Sequence, residues 1–123
     1  MSNVKSYKDL LIWQKGIQIV ILTYKIAKQF PSEEMYALTS QVKRAAVSIP
    51  SNIAEGYGRN GDKSLNHFLN ISRGSLYELE TQLLIAKGLD FITSSNMSSF
   101  EKINSLIEEE SKMINAFSAK LQG

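Results

Sequence analysis

Apolar residues recur every three or four positions along almost the whole chain, and this spacing constrains the fold more than any other feature. Such spacing lines up side chains on one face of an α-helix, whereas a half-buried β-strand alternates every two residues. No stretch alternates apolar and polar residues for long, and turn dipeptides do not recur at strand spacing. The sequence therefore predicts an all-α fold.

Three breaks divide this pattern into four helices. Pro31 with Ser32 ends the first helix, "GYGRNGD" ends the second, and "KGLDFITSSN" ends the third. Ser6 or Asp9 can cap the first helix. The sequence predicts helices over residues 7–30, 33–57, 63–88 and 96–121, within one domain spanning residues 1–123. Four long helices joined by short turns pack most economically as an up-down-up-down four-helix bundle.

The first helix carries apolar residues on two faces. We expect one face to point to the core, and it comprises Leu10, Trp13, Ile17, Val20, Ile21 and Tyr24. Ile12, Ile19 and Ile26 follow a heptad spacing on nearly the opposite side, with Leu22 beside them. We expect these four side chains to be exposed in a single chain and to contact another copy of the protein. The alternative is that they are ordinary scattered aliphatic residues on the surface.

Positive charge is concentrated in the middle of the chain. The net charge of +2 is too small to indicate nucleic acid on its own. Residues 41–75 nevertheless carry five Lys or Arg against two acids, whereas residues 76–123 carry four Lys against seven acids. The candidate nucleic-acid-binding residues are Lys43, Arg44, Arg59, Lys63, His67 and Arg73. The alternative is a solvated basic face.

Enzyme chemistry has little support in the sequence. The chain has no cysteine, its only histidine is His67, and it has neither a convincing catalytic triad nor a phosphate-binding glycine loop. We therefore expect a nonenzymatic protein without a metal or cofactor. The start, "MSNVKSYKDLLIW", does not have the uninterrupted apolar segment that is typical of a signal peptide, and the longest apolar run, "IVIL", is too short to span a bilayer, so we expect a cytoplasmic protein.

The second helix contains a proline in a position that a regular helix disfavours. In "RAAVSIPSNIAEGYGR", residues 44–59, Pro50 removes a backbone donor at a cost of about 3 kcal/mol. We expect the Ser48 and Ser51 hydroxyls to satisfy the freed backbone group and the helix to kink. Glu55 is expected to accept hydrogen bonds from Arg44, Arg59 or Arg73, as part of a binding site or of a salt-bridged face between copies.

Glu110 interrupts the apolar stripe of the fourth helix, between Ile107 and Ile114. An isolated buried carboxylate is unfavourable, so this group must reach solvent or pair with a cation such as Arg73 or Lys87. A charge at the edge of a wide apolar stripe is the alternative.

Two blocks of sequence resemble a known family. "RAAVSIPSNIAEGYGR" is followed by "FLNISRGSLYELETQL" at residues 68–83, and together they resemble the four-helix-bundle family named for the 23S rRNA intervening-sequence protein. The resemblance implies a left-handed helical bundle that assembles as a homopentamer and is generally encoded in bacteria. It carries over Arg44, Ser48, Pro50, Asn52, Glu55, Gly56 and Arg59 from the first block and Gly74, Ser75, Glu78 and Glu80 from the second, with Arg73 adjacent. No catalytic role comes with them.

Two functions are consistent with these features. The first is a homo-oligomeric bundle that binds RNA or DNA through a basic surface, multiplied by the copies in the ring. The second is a protein-interaction scaffold or accessory subunit with no direct nucleic-acid contact, which would use the surface of the first helix or the acidic C-terminal half.

Overall fold

A computed structural model describes residues 4–122, which fold into four α-helices: α1 (Leu11–Ala27), α2 (Leu38–Gly58), α3 (Asp62–Gly88) and α4 (Met97–Gln122). Two short 3-10 turns, Tyr7–Asp9 and Ser32–Glu34, precede α1 and α2. This part of the chain contains no β-strand. The predicted all-α fold with four helices is confirmed.

The first two helices begin later than the sequence predicts. Ser6 and Asp9 form a capping box, in which Ser6 Oγ accepts a hydrogen bond from the Lys8 amide at 3.1 Å. That box closes only the 3-10 turn, because Leu10 is extended (ψ 127°) and α1 starts after it. Ala37, at φ −121° and ψ −109°, likewise separates the turn Ser32–Glu34 from α2. The prediction that Ser6 or Asp9 caps the first helix is therefore wrong, because these residues cap only the short turn before it.

Each helix packs against two neighbours: α1 and α3 both contact α2 and α4. α2 and α3 run antiparallel, since Ser48 meets Ser75 while Gly56, further along α2, meets Phe68. A Cβ atom on Gly56 would lie 2.7 Å from Phe68 Cβ and 3.3 Å from the Leu65 backbone. Only glycine therefore permits this close approach. The up-down-up-down order of the whole bundle and its left-handed twist stay predictions.

In α2, α3 and α4, apolar residues at helical spacing form a stripe that faces the interior. Their fully buried members include Val42, Ala46, Ile49 and Ile53 on α2, Leu69, Leu76, Leu79 and Leu83 on α3, and Ile103, Ile107 and Ile114 on α4. The outer sides of α2 and α4 are mainly polar, whereas α3 also exposes Ile71, Tyr77, Leu84 and Ile85.

α1 presents the opposite face from the one predicted. Ile12, Ile19 and Ile26 are only 3%, 0% and 1% exposed, so the prediction that they form an exposed contact surface is wrong. Leu22 is half-buried and packs against the core. Of the side chains predicted to be core, Trp13, Ile17 and Val20 are half-buried, and Ile21 and Tyr24 are 51% and 41% exposed. Leu10 is buried as expected.

The outer face of α1 is also apolar, although Trp13 and Val20 are half-buried and pack against the core. We call Trp13, Ile17, Val20, Ile21 and Tyr24 the outer stripe of α1. Lys43 of α2 lies over the Tyr24 ring, 4.9 Å from its centroid, and Val47, one turn further along α2, is 40% exposed. α1 is therefore apolar on two sides, as the sequence indicates, but the side predicted to be exposed is buried and the side predicted to be core is partly exposed.

Candidate functional site

The seam between α2 and α3 is joined by hydrogen bonds near Pro50. Ser48 Oγ lies 2.7 Å from Ser75 Oγ, and Asn52 Nδ2 donates to both the carbonyl and the hydroxyl oxygen of Ser48, each at 2.8 Å. On the buried side, Ser72 Oγ donates to the Ile49 carbonyl at 2.9 Å. The Ser48 hydroxyl thus bonds to Ser75 and Asn52, and Ser51 is exposed. The expectation that Ser48 and Ser51 satisfy the backbone freed by Pro50 is wrong.

Glu55 forms an ion pair with Arg59 one turn later on α2. Arg59 Nε and Nη2 donate to Glu55 Oε2 at 3.0 and 2.8 Å. The guanidinium also lies over the Phe68 ring, 5.3 Å from its centroid, and His67 meets the same ring edge to face at 5.2 Å. Both members of the ion pair are about half exposed, so it contributes little to stability.

Arg59, Lys63 and His67 come together where α2 ends and α3 begins, and we call them the α2–α3 corner. Arg59 and His67 share the Phe68 ring, and Lys63 lies one turn before His67 on α3. All three are exposed. This corner is the part of the predicted basic surface that the fold assembles.

The other three basic candidates lie elsewhere. Arg44 is exposed but fifteen residues before Arg59, about 22 Å along α2. Lys43 turns towards α1 and Tyr24. Arg73 faces α4, where its guanidinium donates to Asn115 Oδ1 at 2.7 Å and to Asn70 Oδ1 at 2.6 Å. The six candidates therefore do not lie together, because α2 and α3 point them in different directions, and their role in nucleic-acid binding stays a prediction.

The other residues that the family resemblance carries over from the second sequence block, Gly74, Glu78 and Glu80, lie on the outer side of α3. Gly74 and Glu78 are exposed and Glu80 is half-buried. A Cβ atom on Gly74 would meet no atom within 4 Å. Within the described chain, these positions therefore carry no contact comparable to that of Gly56.

Glu110 lies inside the bundle rather than at the edge of the apolar stripe. Its exposure is 0%, and neither carboxyl oxygen has a hydrogen-bond partner within residues 4–122. The proposed cations are occupied elsewhere: Arg73 bonds Asn70 and Asn115, and Lys87 lies over the Phe100 ring. The pKa of Glu110 is raised from 4.5 to about 8, because the effect of burial exceeds the opposing effect of the positive charge of Lys15.

Three residues that sequence reasoning did not single out shape these sites. Gly16 lets α1 approach Pro50 and Glu110, Phe68 supports the α2–α3 corner, and Ser72 bonds the backbone beside the proline. A glycine in an otherwise aliphatic helix is a signal of close packing. An aromatic residue on a core stripe and a serine within it give no comparable signal.

Two classes of site are missing from residues 4–122. No group of three or more His, Asp or Glu side chains is arranged to hold a metal ion. None of the helices there combines the length and apolarity that crossing a membrane requires.

A comparison with protein-family models matches residues 8–116 to the model described as "23S rRNA-intervening sequence protein". The matched segment includes both sequence blocks and almost all of the four helices. No curated protein matches the chain significantly.

Proposed function

The chain belongs to the 23S rRNA-intervening sequence protein family, and we propose that it is a nonenzymatic, self-associating helical bundle that contacts RNA or DNA as an oligomer. The observation that carries the proposal is the outer stripe of α1. The nucleic-acid part has separate support from the cations of the α2–α3 corner and from the family's description.

Self-association follows from the composition of the outer stripe. All five side chains of the outer stripe are apolar or aromatic, and two of them are aromatic. Each is nevertheless partly accessible to water in the single chain. Removing such a stripe from water is favourable by roughly 25 cal/mol per Å² of apolar area. A second copy offers the same protein surface at the same concentration, which makes it the simplest partner. We propose five copies, the number that the family resemblance implies.

The α2–α3 corner supports weak contact with phosphates. Arg59, Lys63 and His67 are exposed together, but Glu55 offsets the charge of Arg59. One corner of this kind binds nucleic acid poorly, because each neutralised phosphate contributes only a modest, salt-dependent free energy. Repetition of the corner around an oligomer converts weak contacts into avidity. Assembly and nucleic-acid binding are therefore coupled in this proposal.

Assembly is tested by sedimentation equilibrium at micromolar concentration. We expect five times the mass of one chain for the wild type and a smaller mass for Ile21→Glu, which places a charge in the outer stripe. Leu84→Glu is the matched control, because Leu84 on α3 is similarly exposed (56%) but lies outside the stripe. The proposed interface is contradicted if the wild type has the mass of a single chain. It is also contradicted if Ile21→Glu and Leu84→Glu reduce the mass equally.

Nucleic-acid binding is tested with ribosomal RNA fragments at several salt concentrations. We expect the affinity to fall steeply as salt increases, and Arg59→Ala or Lys63→Ala to reduce the slope of log K against log salt by about 1 each. Lys102→Ala, an exposed lysine on α4, should leave the slope unchanged. If the affinity for RNA changes neither with salt concentration nor in the Arg59→Ala and Lys63→Ala variants, the protein-interaction scaffold is favoured instead.

A further inference from the structure

Glu110 is the only ionisable side chain among the buried residues of the described chain. The other buried polar side chains are neutral: Thr23, Thr39, Ser72, Gln82, Asn96 and Ser118. A carboxyl group without hydrogen-bond partners in an apolar interior costs free energy in either protonation state, and far more when it is ionised. Its position therefore calls for a physical role.

The carboxyl group occupies a notch where three helices meet. A Cβ atom placed on Gly16 of α1 would lie 3.4 Å from Glu110 Oε2 of α4, and 3.2 and 3.4 Å from Cβ and Cδ of Pro50 in α2. The missing side chain of Gly16 thus makes room for the proline ring and the carboxyl group together. If the carboxyl group needs more space, α1 must shift relative to α2 and α4, because a closely packed interior has no free volume to accommodate the change.

The charged groups around this notch are few. On α1, Lys15 precedes Gly16 and is half-buried, and its Nζ is 2.7 Å from Oε1 of the exposed Glu109. On α4, Glu109 itself is exposed. The buried faces of α2 and α3 contribute no charge, and the buried amide oxygen Gln82 Oε1 has no hydrogen-bond partner either. Lys15 is therefore near enough to lower the pKa of Glu110, but within the described residues no cation forms an ion pair with its carboxyl group.

We propose that Glu110 is a proton-controlled latch that seats α1 against α2 and α4. The neutral acid fits the notch at Gly16 and Pro50. The ionised carboxylate must gain water or draw Lys15 away from Glu109, and either change displaces α1 from its neighbours. This inference concerns the single bundle and does not rest on the proposed self-association or nucleic-acid binding.

The sign of the pH effect follows from the pKa of Glu110, which burial raises from 4.5 to about 8. Below pH 4.5 both the folded and the unfolded chain bind the proton, so the contribution of Glu110 to stability is fully present. Between pH 4.5 and about 8 only the folded chain binds it, and the folding equilibrium constant falls about tenfold per pH unit. Above about pH 8 neither state binds the proton and the dependence on this group ends.

The test uses Trp13, the only tryptophan of the chain, as a reporter on α1. Trp13 lies three residues before Gly16, and its ring packs edge to face against the Tyr7 ring, with 5.4 Å between the centroids. We expect the Trp13 emission of the full-length protein to change with a midpoint near pH 8 in the wild type. Glu110→Gln should remove this transition. Glu108→Gln is the matched control and should retain it, because Glu108 is exposed and pairs with Lys112.

A second measurement keeps the inference testable if Glu110→Gln does not fold. Carbon-13 NMR of the glutamate side-chain carboxyls in the wild type should show one group, Glu110, with a midpoint near pH 8. If every glutamate carboxyl titrates below pH 6, or if the Trp13 transition persists in folded Glu110→Gln, the latch is refuted.

Discussion

The two apolar faces of α1 have the same helical spacing, but one is buried in the core and the other is partly exposed to water. The inner face, Ile12, Gly16, Ile19, Thr23 and Ile26, is buried in the core. The outer stripe, Trp13, Ile17, Val20, Ile21 and Tyr24, has larger side chains and greater aromatic content, yet it remains partly in water. Apolar bulk alone therefore does not decide which face of a helix enters a core.

Fit decides between the two faces. Gly16 leaves the space that Pro50 and Glu110 occupy, and a large side chain there would hold α1 away from α2 and α4. Thr23 is tolerated at 0% exposure because its hydroxyl donates to the Ile19 carbonyl at 2.8 Å, within its own helix. Tyr24, by contrast, keeps its ring at the surface under Lys43. The inner face can pack closely against α2 and α4, because Gly16 leaves the space they need and the Thr23 hydroxyl is hydrogen-bonded within its own helix.

The largest effect should separate Ile19 from Ile21. Ile19→Ala empties a fully buried site, so we expect the free energy of unfolding to fall by about 2 to 5 kcal/mol. Ile21→Ala removes the same atoms from a half-exposed site and should cost less than about 1 kcal/mol. Urea unfolding at low protein concentration, where assembly contributes least, makes the comparison. Equal losses in the two variants would contradict the assignment of the inner and outer faces.

A smaller effect should separate two glycines. Gly16→Ala places a Cβ atom 3.2 Å from Pro50 Cβ, so we expect a loss of about 1 to 3 kcal/mol from overpacking. Gly74→Ala, with open space around it in the interior of α3, should instead gain about 0.5 to 1 kcal/mol from the better helix propensity of alanine. Thermal unfolding of both variants at one pH provides the measurement. If Gly16→Ala also stabilises the protein, the notch is not closely packed.

The fold was predictable where each helix has one apolar side. Val42, Ile49 and Ile53 of α2 face the core as their spacing indicates, because the opposite side of that helix is polar. α1 carries two sets of apolar residues with the same helical period, so periodicity alone does not indicate which set is buried. The choice depends on Pro50 and Glu110, which lie on other helices and reach Gly16 only in the folded chain.

The candidate site was predictable to the extent that it is local. The pair Glu55 and Arg59 follows from their separation of four residues on one helix. The directions of Lys43 and Arg73 do not, since they depend on contacts with Tyr24 of α1 and Asn115 of α4. The sequence likewise indicates that Glu110 is unusual, but only the packing of three helices leaves its carboxyl group without an ion pair.

The smallest effect should come from Thr23, the polar member of the inner face. Thr23→Val removes a buried hydroxyl, but the Ile19 carbonyl keeps its helical bond from the backbone amide of residue 23, so no acceptor is left without a partner. The added methyl group also suits the apolar surroundings, and we expect the free energy of unfolding to change by less than about 1 kcal/mol. Thr81→Val is the matched control, because Thr81 Oγ1 makes the same bond to the Tyr77 carbonyl at an exposed position. Chemical unfolding of both variants tests whether burial changes the value of this bond. A loss above about 2 kcal/mol confined to Thr23→Val would mean that the hydroxyl, and not only the shape of the inner face, determines which side of α1 is buried.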